Sequence, residues 1–151
     1  MDNELRELYQ QVILDHNKSP RNFRVIEHPS HQAEGYNPLC GDRIDVFVNV
    51  KDGVIEDISF QGKGCAISKA SASLMSSIVK GKPVEEAEKL FAKFKDLITG
   101  KLGENPDLEE IGKLAVLAGV KEFPARVKCA SLAWHTMINA INEEKNLVTT
   151  E

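Results

Sequence analysis

No apolar run in this 151-residue chain approaches the roughly 20 residues a helix needs to span a bilayer, so a membrane-spanning helix is excluded. No basic cluster stands out either: 19 Lys and Arg against 23 Asp and Glu leave a net charge of −4. Nucleic-acid binding is excluded with it, because phosphate contacts need clustered cations. The chain starts Met1, Asp2, Asn3, Glu4, which lacks the cationic start of a secretory leader, and the expected location is the cytoplasm. Internal repeats and low-complexity segments are absent, so one domain over residues 1–151 is expected. There is no CxxC pair, and the cysteines number only three, too few and too odd for full internal disulfide pairing. A reducing compartment keeps such cysteines as thiols, which are then buried bystanders, metal ligands or nucleophiles.

What is present fits a soluble globular domain: 42% hydrophobic and 28% charged residues. Leu5, Leu8, Tyr9, Val12 and Ile13 recur at helical spacing, with Asp2 as the cap and Asn17–Pro20 as the stop. Residues 21–40 read as irregular or short-strand structure. Ile44, Val46, Val48 and Val50 alternate at strand period, Lys51-Asp52-Gly53 is a turn, and Val54, Ile58 and Phe60 mark a return strand. Gly62-Lys63-Gly64-Cys65 reads as too glycine-rich for a strand or helix interior. Helical patterns follow. Ile67, Ala70, Leu74 and Ile78 mark one helix, closed by Gly81. Pro83 suits the first turn of the next, with Ala87, Leu90, Phe91, Phe94 and Leu97 as its stripe. A short helix is expected over Leu108, Ile111, Leu114 and Ala115, and Pro124 opens a long last one with Val127, Ala130, Met137, Ile138 and Ile141 inward. Strands followed by helices predict an α+β fold.

The chemistry gathers at the cysteines. Cys40 lies in the turn Asn37-Pro38-Leu39-Cys40-Gly41-Asp42, Cys65 at a strand-to-helix junction, and Cys129 in the last helix. Cys40 and Asp42 are two residues apart, so in an extended segment both project to one side. The neighbouring glycines would let the backbone approach a bound ion. Three thiolates and one carboxylate suit zinc or iron. On spacing alone, Cys65 and Cys129 read equally well as small core residues. Cys40 does not, since a Pro-x-Cys-Gly-Asp turn is a poor place to bury an apolar group. Four negative ligands call for nearby cations; Arg126 shares a helix face with Cys129, while Lys69 reads as solvated surface. The four histidines read as non-ligands, with His16 a cation suited to the end of its helix.

At these residues the sequence resembles the IscU/SufU (NifU N-terminal-like) family of iron–sulfur cluster assembly proteins. Tyr9–Phe23, Asn37–Asp42, Gly62–Ser68 with Ala70–Leu74, and Arg126–Trp134 look like family motifs in order. The resemblance implies a small three-stranded antiparallel sheet packed against helices, with Cys40, Asp42, Cys65 and Cys129 as metal ligands. Three departures make the chain most similar to the SufU branch. Lys128 stands where the IscU branch has a histidine, Glu122–Val127 does not match its Leu-Pro-Pro-Val-Lys motif, and residues 100–120 are additional. The branch implies a zinc-dependent sulfurtransferase taking persulfide sulfur from a cysteine desulfurase of the SufS kind; Cys40, on its glycine-flanked loop, and Arg126, the cation on the face of Cys129, are the expected working residues. The alternative is a scaffold holding iron or a [2Fe–2S] cluster for downstream iron–sulfur assembly proteins.

Overall fold

The computed structural model describes residues 3–101, 112–142 and 148–149. A helix over Asn3–Lys18 (α1) precedes three antiparallel strands, His31–Asn37 (β1), Asp42–Lys51 (β2) and Val54–Lys63 (β3). Helices follow over Ala66–Val79 (α2), Val84–Ile98 (α3) and Pro124–Ile141 (α4), with a 3-10 helix at Gly112–Glu122 before the last. A two-residue strand, Val148–Thr149 (β4), pairs parallel to β1, so the sheet order is β3-β2-β1-β4. The expected α+β architecture with its three-stranded antiparallel sheet is present, and β4 extends one edge. The expected cap Asp2 and the Leu108 and Ile111 part of the expected short helix lie outside the described residues.

The β2–β3 hairpin closes at Asp52 and Gly53, both with positive φ (53° and 77°), as a two-residue hairpin turn demands. The alternation of β2 buries Ile44, Val46 and Val48 on the helix side. The return strand runs further than its glycines suggested. Gly62 and Lys63 pair with Ile44 and Arg43, so backbone pairing to β2 overrides the weak strand propensity of the Gly62–Gly64 stretch.

Helix α4 packs across β1 and β2 and against α2, and Leu132, Trp134 and Met137 are fully buried on it. Phe94 stacks on the Trp134 indole with centroids 5.0 Å apart, which fixes α3 to α4. Helix α2 is buried on more faces than an apolar stripe predicts: Ser68, Ser71, Ser73 and Ser76 lie inside with Ala70, Ala72, Leu74 and Met75. Each hydroxyl of Ser71, Ser73 and Ser76 has partners. Ser71 donates to Ala130 O (2.6 Å) and accepts from Trp134 Nε1 (3.2 Å). Ser73 bonds His16 Nδ1 (2.7 Å) and the Arg21 amide (2.8 Å), and Ser76 accepts from Asn22 Nδ2 (3.0 Å). The motif Tyr9–Phe23 thus anchors α1 and the segment after it. That segment also bridges β3 at Phe60, where the Phe23 ring meets the Phe60 ring edge-on at 5.3 Å.

His16 departs from its expected role. It is buried, and burial foremost, with the Arg21 cation second, lowers its pKa, so it sits neutral under α1 rather than serving as a cation at the helix end. Pro83 also shifts by one position, standing just before α3 as its cap rather than in its first turn.

Candidate metal centre

Cys40, Asp42 and Cys129 come together although 87 residues of sequence separate Asp42 from Cys129. Their ligand atoms all lie within 4.8 Å of one another, and Cys129 Sγ is 3.5 Å from Cys40 Sγ. The elements explain the convergence. Asp42 starts β2 as Cys40 leaves the turn after β1, and α4 crosses both strands with Cys129 in its second turn. Gly41 has a φ of +73° with open space around it, so it serves the turn that carries Cys40.

Cys65 joins from the β3–α2 junction. Its sulfur lies 3.9 Å from Asp42 Oδ2, and its amide donates to Asp42 Oδ1 at 2.8 Å. It also caps α2, accepting the Ser68 amide on Sγ at 3.4 Å. Gly64 is needed here for the carboxylate, not for an ion, because a Cβ at that position would stand 2.5 Å from Asp42 Oδ1.

The sulfurs differ in exposure. Cys40 is exposed, Cys65 half-buried and Cys129 buried, while Asp42 is fully buried. Burial, then contact with Cys40, Cys65 and Asp42, pushes the Cys129 thiol far above the usual thiol range. A divalent cation removes that penalty by pairing with the thiolate. Cys40, Asp42 and Cys129 converge at the boundary of the core with Cys65 beside Asp42, and this donor set fits a thiophilic divalent ion by its chemistry.

Arg126 is the expected cation of the site. It is exposed on the first turn of α4, with its guanidinium 4.5 Å from the Phe123 ring centroid. Lys69, expected as solvated surface, is half-buried and lies 4.9 Å over the Phe23 ring. The residue that sequence reasoning missed is Asn37. It is fully buried and donates through Nδ2 toward Asp42 Oδ2 (3.4 Å) and Cys129 Sγ (3.6 Å). The signal for it was its place in the same turn as Cys40 and Asp42.

The family of NifU-like N terminal domains matches residues 8–130. The chain is 42% identical over 138 residues to the zinc-dependent sulfurtransferase SufU of Bacillus subtilis, covering 91% of this chain and 92% of that protein. It is 41% identical over 143 residues to the iron–sulfur cluster assembly scaffold protein IscU of Streptococcus pyogenes serotype M1, covering 95% and 88%. A solved structure from Fervidobacterium islandicum AW-1, described provisionally as a scaffold protein for the SUF system, superposes with a TM-score of 0.81 at 32% identity over 90% of this chain and 98% of its own. By sequence and by fold, this chain belongs to the NifU-like N-terminal domain family.

Proposed function

We propose that this chain, as a single domain over residues 1–151, is a zinc-dependent sulfurtransferase of iron–sulfur cluster biogenesis. It would act in the cytoplasm, taking persulfide sulfur from a cysteine desulfurase and passing it to downstream assembly proteins. The observation that carries this reading is the split within the cluster: one exposed sulfur on a turn, Cys40, beside a buried sulfur and carboxylate, Cys129 and Asp42. A purely structural site has no use for an exposed thiol; a transfer site requires one.

Cys40, Asp42, Cys65 and Cys129 would hold the zinc, whose contribution is to keep the thiols as thiolates at neutral pH. The transfer itself is thiol chemistry. The Cys40 thiolate attacks the outer sulfur of the desulfurase persulfide, a new sulfur–sulfur bond forms on Cys40, and the bond to the desulfurase cysteine breaks. The desulfurase cysteine leaves as a thiolate, so electrons balance without an external oxidant. Turn residues supply the reach for this attack, whereas Cys129 is fixed within a helix. Arg126, exposed three residues before Cys129, is the cation assigned to the anionic site during transfer. The similarity to SufU supports zinc, as does Lys128 in place of the histidine expected of the IscU branch.

The test is one turnover with a cysteine desulfurase and free cysteine, followed by peptide mass mapping. Added sulfur is expected on Cys40. Added sulfur confined to Cys65 or Cys129 would overturn the assignment. The scaffold reading rests on the same ligands and on the similarity to IscU, and metal content separates the two.

A further inference from the structure

The Asp42 carboxylate divides its work between its oxygens. Oδ1 is committed to the Cys65 amide at 2.8 Å. Oδ2 is the oxygen that faces the sulfurs, 3.9 Å from Cys65 Sγ. The group touching Oδ2 from the protein side is Asn37, whose Nδ2 lies 3.4 Å from it and 3.6 Å from Cys129 Sγ. The other half of the same amide points back into the turn, where Asn37 Oδ1 accepts the Leu39 amide at 3.2 Å; separately, the Asn37 backbone carbonyl accepts the Gly41 amide at 2.9 Å. Asn37 is fully buried, so water does not compete for these bonds.

We infer that Asn37 is a positioning residue for the metal centre, an inference that rests on the zinc reading above. One amide group ties the buried pair, Asp42 and Cys129, to the turn that presents the exposed Cys40. Its donor half orients the ligating oxygen and the buried sulfur, and its acceptor half shapes the loop. Groups that orient ligands from behind typically change metal affinity 10–100-fold when removed.

The two halves are separable by substitution. Asn37→Ser keeps an acceptor for the Leu39 amide but loses the reach to Asp42 and Cys129. Asn37→Ala loses both. The measurement is zinc release to a chelator from the whole protein, paired with the absorption spectrum of the Co²⁺-loaded form, which reports ligand geometry without any turnover. Asn37→Ser is expected to release zinc about 10–100-fold faster and to shift the Co²⁺ bands, with unchanged circular dichroism. Wild-type release and spectrum in Asn37→Ser, with only Asn37→Ala altered, would show that Asn37 serves the turn alone and overturn the inference. Wild-type protein that takes up neither ion would overturn the zinc reading, and the inference with it.

Discussion

At Asp42 a buried carboxylate stands among three thiols, with one oxygen bound to the Cys65 amide and the other turned toward the sulfurs. Oxygen is a harder donor than thiolate, so for a thiophilic ion it is the weakest member of the set. Asp42→Ala is therefore expected to speed zinc release to a chelator while leaving Cys40 able to accept sulfur in single-turnover mapping. Unchanged release would remove Asp42 from the ligand set. Arg126 contrasts with it. The side chain is exposed and rests on Phe123, so Arg126→Ala is expected to slow sulfur transfer several-fold while zinc release stays near that of the wild type. Equal loss of both would make Arg126 a support of the centre rather than a participant in transfer. Cys40 was legible as a candidate because a polar turn beside a strand is an implausible place for a buried cysteine, whereas Cys65 and Cys129 read equally well as core residues on spacing alone. The Asn37 contacts were not, because no spacing rule says which turn residue folds inward.

Helices α2 and α4 carry two of the three cysteines between them, Cys65 as cap of the first and Cys129 inside the second. Their contact is fastened by Ser71, which bonds Ala130 O and the Trp134 indole. Ser71→Ala leaves a buried indole donor without a partner, so it is expected to cost about 1–3 kcal/mol by chemical denaturation. A loss near zero would mean the indole finds another acceptor. Helix α1 meets α2 through His16 and Ser73. The Ser73 hydroxyl accepts the Arg21 amide and also shares a hydrogen bond with His16 Nδ1, while burial disfavours the charged ring. Arg21 and Lys113 disfavour the charged form further, and Asp15 opposes them. Because the folded pKa lies below the ordinary 6.5, the unfolded chain binds more protons as pH falls through 6.5. Metal-free protein is therefore expected to lose melting temperature from neutral to moderately acidic pH, with a smaller loss in His16→Gln. An identical slope in both would exclude His16 as the cause. None of this buried serine and histidine network follows from sequence, since small polar residues inside a helix pair read as breaks in an apolar stripe. The strand alternation of Ile44–Val50 and the Asp52-Gly53 turn were plain, because strand period and hairpin chemistry are local.

At the scale of the molecule, the sheet and α4 form a frame that fixes Asp42 and Cys129, and the turn between β1 and β2 brings Cys40 to its surface. The fold class was legible because the strand period of Ile44–Phe60 stands between helical periods, one before it in Leu5–Ile13 and others after Cys65. The long 3-10 helix at Gly112–Glu122 was not, because its apolar residues Leu114, Leu117, Ala118 and Val120 satisfy several periods equally well. Among the described residues, no helix is long and apolar enough to cross a membrane, in keeping with the composition. The central claim is that this frame holds a zinc ion beside a transferable thiol. Metal analysis of the native protein, with its absorption spectrum, tests it most directly. Zinc equimolar with the chain in a colourless protein is the predicted result, and a brown protein carrying iron and labile sulfide in place of zinc would contradict it.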